Sequence, residues 1–248
     1  MSIPHRLLGT VLSSLLTLPV LAAAPARAIP EEEALRKLAV VPVFVLVNDK
    51  GVPVPKVNQQ DKLLVVPLYM ERSRAEAERQ KALQANPSGK VQVLPMPMSI
   101  ASDRINAINS TLQDGLRMVG PVVPNPADLA AARDLLRKEG LKEAEINEGL
   151  GMPVFFTKPF LSVNTPEGPR GVFFVTHADL QKALAGAPPN SKLVPQAADI
   201  TFALRQITQS KEDRFVIFPP PEYFRLVQEQ QAQQQKGAGP VTPPPPAR

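Results

Sequence analysis

Apolar residues in this chain fall into short continuous runs separated by polar stretches. The runs that predict strands in the N-terminal part are Val40–Val47, Leu63–Met70, Val91–Met98 and Met118–Val123. Consecutive apolar positions, in place of alternating ones, indicate strands that are buried on both faces, or buried on one face and used for binding on the other.

Other segments have the spacing of amphipathic helices. Ala101, Ile105, Ile108 and Leu112 recur at helical intervals, and a second stripe follows Asp199. Capping boxes predict helix starts at Ser73, with Glu76 three residues later, and at Thr176, with Asp179. Further helices are predicted over Pro30–Leu38, over Ala127–Lys138 and from Glu222 onwards.

The same order of motifs occurs twice. The triplet Pro-Val-Phe at Pro42 returns at Pro153, and VVPNPADL (Val122–Leu129) is answered by IFPPPEYF (Ile217–Phe224). Two intermediate motifs also pair in the same sequence order. We therefore predict an α+β fold of two tandem pseudo-symmetric halves, each strand-strand-helix-strand-helix-strand-helix. The first half is expected over residues 29–141 and the second over residues 142–230.

Both ends of the chain differ from these halves. Arg6 precedes the mostly apolar run Leu7–Val20, and Ala26-Arg27-Ala28 has the small-x-small pattern of a cleavage site, so residues 1–28 are predicted to be a secretory signal peptide. No later run reaches the ~18 consecutive apolar residues of a membrane span. Residues 231–248 are rich in Gln and then Pro, and we expect them to be a disordered tail.

Charge and cysteine content narrow the class of protein. Without the signal peptide, 26 basic and 23 acidic residues leave a net charge of only +3, which is weak evidence for nucleic acid, and export also argues against it. There is no cysteine, so a Cys-x-x-Cys redox centre is excluded. The fold must be held by packing alone.

Motifs for catalysis or cofactor binding are missing. His177 is the only histidine after the signal peptide, and neither a Gly-x-Ser-x-Gly motif nor a phosphate-binding glycine loop occurs. We therefore predict no enzyme activity, no catalytic residue, no cofactor and no metal site. A serine–lysine or carboxylate hydrolase, which needs no histidine, remains a minor alternative.

Apolar side chains are the candidates for function. Two aromatic pairs lie on the first two predicted strands of the second half, and adjacent strand residues point to opposite faces. One interpretation is that helices cover both faces, so that these residues are core. The other is an exposed groove for unfolded or peptide-like partners, because aromatic and methionine side chains suit adaptable binding. The candidate client-binding residues are Phe44, Tyr69, Met96, Phe155, Phe156, Phe173 and Phe174.

Several of these motifs resemble those of a known family. The segments that carry the likeness are VPVFVLVNDKGVPV (Val41–Val54), KVQVLPM (Lys90–Met96), VVPNPADLAAARDLL (Val122–Leu136), GMPVFF (Gly151–Phe156) and GVFFVTHADLQKAL (Gly171–Leu184). Over roughly residues 38–227 the sequence resembles the family of the twenty-two-kilodalton Tic component of the translocon at the inner envelope membrane of chloroplasts, and especially its cyanobacterial relatives. Met152 stands where the family usually has valine.

This resemblance implies two α/β halves with apolar surface pockets and a non-enzymatic role. It implies a periplasmic, chaperone-like escort that binds unfolded outer-membrane or translocating proteins and works with the outer-membrane β-barrel assembly or translocation machinery. Plastid relatives are expected in the intermembrane space, and the thylakoid lumen is a second location that one signal peptide would serve. The alternative is a structural adaptor that docks one folded envelope partner, for example through the Pro-rich tail.

Overall fold

The computed structural model describes residues 28–58, 60–210 and 212–237. Its helices are α1 (Glu31–Arg36), α2 (Arg72–Ala85), α3 (Met98–Asn109), α4 (Pro126–Lys138), α5 (Glu143–Gly149), α6 (His177–Ala185), α7 (Ile200–Gln209) and α8 (Pro221–Gly237), with a 3₁₀ turn at Lys37–Val40. Its strands are β1 (Pro42–Val47), β2 (Lys56–Asn58), β3 (Leu63–Val65), β4 (Leu68–Tyr69), β5 (Gln92–Pro97), β6 (Arg117–Val119), β7 (Val122–Val123), β8 (Pro153–Lys158), β9 (Ser162–Thr165), β10 (Gly168–Phe174), β11 (Val194–Asp199) and β12 (Phe215–Phe218).

Two main sheets have the same strand order. The first runs β5-β1-β4-β7 and the second β11-β8-β10-β12, with β9 added to β10. In each sheet the first two pairings are antiparallel and the last is parallel. The predicted α+β class is confirmed. The equal topologies are what tandem copies would produce, while the pseudo-symmetry itself and the half boundaries stay predictions.

The prediction of one continuous strand over Leu63–Met70 is wrong. The chain divides it into β3, which joins a small sheet with β2 and β6, and β4, which joins the first main sheet. Pro67 lies between the two pieces, and Pro121 lies at the corresponding break between β6 and β7. Because proline has no N–H and a fixed φ, it favours a bend in place of a continuous ladder. The parallel partners therefore change sheets together.

Of the two helix starts predicted from capping boxes, the one in the second half is confirmed and the one in the first half is wrong. Thr176 caps α6 as predicted, since its hydroxyl accepts the Asp179 N–H. The capping box at Ser73 is wrong: α2 begins at Arg72, after Glu71 in extended conformation. Asn125 donates to the Glu71 carboxylate at 2.8 Å, which holds this residue in place. Hence a contact distant in sequence places the start of α2.

The last helix of each half covers the sheet of the other half. Ala132 and Leu136 of α4 are buried in a cluster with Phe155 and Phe174 of the second sheet. Leu226 of α8 packs against the cluster that Phe44 and Tyr69 of the first sheet form with Ala75 of α2. Helix α8 also continues to Gly237, beyond the predicted start of the tail, and residues 238–248 lie outside the described part, as do residues 1–27 of the predicted signal peptide.

The largest core cluster joins the two halves. It combines Val43 and Val45 of β1 with Val154 and Phe156 of β8 and with Phe173 of β10. Since alternate strand residues point to opposite faces, Phe44 and Phe155 lie on the other faces. Phe44 packs against α2 and Leu226 of α8, and Phe155 packs against α4. Each main sheet is therefore covered by apolar contacts on both faces.

Candidate functional site

The seven residues predicted to bind clients are all in the core. Their exposed fractions range from 0% for Phe44, Phe155 and Phe173 to 7% for Met96, with Phe156, Phe174 and Tyr69 between. The interpretation of an exposed groove at these positions is wrong. Helices α2, α4, α6 and α8 cover one face of the two sheets. The residues on the other face, Met96, Phe156 and Phe173, are buried in the core cluster between the halves. The core interpretation of the continuous apolar runs is the correct one.

The aromatic pairs are instead the centre of the packing. Phe156 stacks on Phe160 and Phe202 at centroid distances of 5.2 and 5.3 Å, and it meets Phe173 edge-on at 5.6 Å. Phe173 also contacts Phe215 at 5.5 Å. Such clusters contribute more than their buried area alone. These rings stabilise the second half.

Two other phenylalanines, Phe218 and Phe224, are exposed. They are 36% and 48% exposed, and they flank the Pro219–Pro221 run that joins β12 to α8. The Phe218 ring lies 5.4 Å from that of buried Phe174, so it extends the core to the surface. We did not nominate either residue from the sequence, although aromatics on both sides of a proline run, just past a strand, were a usable signal.

These two rings border a continuous apolar groove, which we name the Phe218 groove. Between β9, α6 and β12 is a cavity of about 280 Å³, lined by Leu161, Val163, Phe174, Asp179, Lys182, Ala183 and Phe218. It adjoins a cavity of about 360 Å³, lined by Asp179, Phe218, Pro219, Pro221, Phe224, Arg225 and Gln228. The two share Phe218 and Asp179. The groove thus has an apolar floor with charged side chains at its rim.

The charged groups around this groove have structural partners. Asp179 accepts a 2.6 Å hydrogen bond from the Thr176 hydroxyl, and Lys182 lies 3.8 Å from the same carboxylate. Both contacts involve Asp179 in the first turn of α6, and Lys182 lies in its last turn. The groove therefore offers apolar contact and a polar rim, with these side chains engaged in holding the helix.

A larger cavity of about 540 Å³ lies where the first turns of α2, α4, α6 and α8 meet. Its polar side chains pair with each other. Asn125 donates to Glu71, and Arg72 lies 3.9 Å from Glu222, which also pairs with Arg225. The carboxylates offset the positive ends of the helices. This cavity is a polar junction between the halves.

His177 belongs to the same junction. Its backbone N–H donates to Asp128 at 2.8 Å, its ring lies 5.3 Å from the Phe155 ring, and its Nε2 is 3.0 Å from the Gln181 amide. Burial raises the pKa of Asp128 above its ordinary value, which the bond from His177 partly opposes. Among the residues that the structure describes, no three or more His, Asp or Glu side chains are grouped as metal ligands.

Over residues 28–237, apart from the two undescribed positions 59 and 211, no helix has both the length and the apolar character that a bilayer crossing requires.

Comparison with known proteins identifies the fold. The sequence matches no protein-family model and no curated protein at a significant level. Among solved structures it is similar to Anabaena Tic22, described as a protein of protein transport, with a TM-score of 0.65 and 21% identity over 81% of this chain and 97% of that one. It is also similar to Tic22 from Plasmodium falciparum, with a TM-score of 0.64 and 16% identity over 80% and 98%. The resemblance predicted from the sequence motifs is confirmed at the level of the fold: this chain has the fold of Tic22.

Proposed function

We propose that this chain is a non-enzymatic escort in protein transport. It holds apolar segments of unfolded or translocating proteins, outer-membrane proteins among them, in the Phe218 groove. The proposed setting is the periplasm, where the outer-membrane β-barrel assembly or translocation machinery is the docking partner. The fold shared with Anabaena Tic22, whose description is protein transport, supports this choice.

The observation that carries the proposal is the exposure of Phe218 and Phe224 along two adjoining cavities. An aromatic side chain gains up to ~2–3 kcal/mol when a partner buries it, less the cost of ordering the partner. Two such rings with aliphatic neighbours give weak, reversible capture of an extended apolar segment. That is the affinity an escort needs, because it must release its client.

The experiment measures light scattering as a urea-unfolded outer-membrane β-barrel protein is diluted from denaturant. The chain from Ile29 onwards should suppress aggregation at stoichiometric ratios, and the double variant Phe218→Ser/Phe224→Ser should lose most of this effect. Val194→Ser is the matched control, because Val194 is 54% exposed on β11, at the opposite edge of the same sheet. Urea unfolding of each variant checks that the fold persists.

Two outcomes would contradict the proposal. If the original chain does not suppress aggregation at any ratio, it is not an escort of this kind. If the double variant suppresses as well as the Val194→Ser control, capture occurs elsewhere and the Phe218 groove is not the site.

A further inference from the structure

Helix α8 packs against one side of the first main sheet, and we call it the strap. Its residues Tyr223, Leu226, Val227 and Gln230 follow the i, i+3, i+4, i+7 spacing of one helix face. They line a cavity of about 240 Å³, whose other side is formed by Ala39, Pro42, Pro95, Met96 and Pro97. Phe224 points away from this face and borders the Phe218 groove.

This helix is held weakly compared with α4, the other exchanged helix. Helix α4 buries Ala132 and Leu136, whereas none of the described side chains from Pro221 to residue 233 of α8 is buried. Beyond Leu226 and Val227 the described face of α8 is polar. Its clearest anchor is the Arg72–Glu229 ion pair at 2.7 Å, and because both side chains are more than 40% exposed, such a pair contributes little.

The face beneath α8 is apolar. Phe44 and Tyr69 are buried in one cluster with Ala75 of α2, and Leu226 of α8 packs against this cluster, as do Leu46, Val93 and Val123. The cavity between α8 and β5 is space that the side chains of α8 leave unfilled. An amphipathic helix with larger apolar residues at these positions would fill that space, and one helix can replace another in such a groove because the contacts are side-chain contacts.

We propose that α8 is a displaceable strap, and that the face beneath it is a second binding surface for an amphipathic helix of a transported protein. The proposal rests on the escort function proposed above. Displacement of α8 would open the surface that Ala39, Pro42, Pro95 and Pro97 form on the other side of this cavity. Binding then requires α8 to leave, so the apparent affinity is lowered by the small fraction of molecules in which the strap is open.

The test combines hydrogen exchange with a peptide probe on the chain from Ile29 to Arg248. The probe is a fluorescein-labelled peptide with the sequence Pro219–Gly237 in which Tyr223 and Val227 are replaced by Phe; the control peptide has in addition Leu226→Asp. Backbone amides of α8 should exchange about tenfold or more faster than those of α4, because local opening is cheaper there. The probe should increase exchange in α8 further, while the control peptide should not bind.

A variant separates the strap from the groove. Glu229→Gln removes the ion pair with Arg72 from the chain, whereas the peptide keeps its own glutamate at this position. The fraction of molecules with α8 displaced should increase, so the probe should bind about two- to fivefold more tightly. Glu148→Gln, at an exposed position of α5, is the matched control and should change nothing. Probe binding should survive Phe218→Ser.

Each contrary result has a separate meaning. Exchange in α8 as slow as in α4, or equal binding of the probe and the Leu226→Asp peptide, would overturn the strap. Probe binding that Phe218→Ser abolishes and that leaves α8 exchange unchanged would place the peptide in the Phe218 groove. That result would overturn the strap and leave the escort function standing.

Discussion

The carboxylate of Asp128, on the last helix of the first half, accepts the backbone N–H of His177 at the start of α6 in the second half, at 2.8 Å. This bond joins the halves at the polar junction, where α4 crosses onto the sheet that α6 also covers. Asp128 thus satisfies an N–H that the helix itself leaves free. The cost is a partly buried carboxylate, whose pKa burial raises.

The pH dependence of stability follows from that shift. Because the folded pKa of Asp128 is raised, the stability this group contributes is fully present below the ordinary aspartate pKa of about 3.9 and is lost as pH rises through the folded value. Asp128→Asn keeps an acceptor oxygen without the charge. We expect the unfolding free energy of this variant, relative to that of the original chain, to increase as the pH rises above about 3.9. Urea unfolding across this range measures the two slopes, and equal slopes would contradict the assignment.

Asp199 links β11, α7 and the start of β8. One carboxylate oxygen accepts the N–H groups of Gly151 and Met152, both at 2.9 Å, and the other accepts the N–H and hydroxyl of Thr201. Asp199→Ala removes the helix cap and leaves the two N–H groups just before β8 without this acceptor, so we expect a loss of about 2–3 kcal/mol in unfolding free energy. Asp103→Ala, at an exposed position of α3, should stay within about 0.5 kcal/mol. Chemical denaturation measures both variants, and equal unfolding free energies would contradict this role of Asp199.

The buried and exposed phenylalanines should respond differently to truncation. Phe155→Ala empties a site with no exposed area and should cost about 3–5 kcal/mol. Phe224→Ala removes a half-exposed ring and should change stability by about 0.5 kcal/mol or less. Thermal unfolding measures both. A large loss for Phe224→Ala would mean that this ring is structural, and the Phe218 groove would lose one of its two anchors.

Substitution of Thr157 tests how much a buried hydroxyl contributes to stability. Its side chain donates to the Pro159 carbonyl and accepts the Leu161 N–H, each at 2.7 Å, which fixes the turn between β8 and β9. Thr157→Val keeps the shape but leaves a buried N–H without an acceptor, so we expect a loss of about 1–3 kcal/mol. The same substitution at exposed Thr111 serves as the control. Similar urea midpoints for the two variants would contradict a structural role for the Thr157 hydroxyl.

Local chemistry explains why these helices could be predicted from the sequence. The stripe Ile200, Ala203, Leu204 and Ile207 faces the protein interior as its spacing predicts, and the same is true of Ala101, Ile105 and Ile108 on α3. Thr176 caps α6, and Asn125 before Pro126 starts α4, because capping and proline geometry act over a few residues. The predicted α+β class follows from these elements.

The tertiary structure alone decided which faces are covered. The bends at Pro67 and Pro121, and the exchange of α4 and α8 between the sheets, depend on contacts far apart in sequence. An apolar pattern states that a side chain needs an apolar neighbour but does not state which segment supplies it. For this reason the sequence identified Phe155 and Phe174 as important, while only the packing of α4 made them core and left Phe218 and Phe224 at the surface.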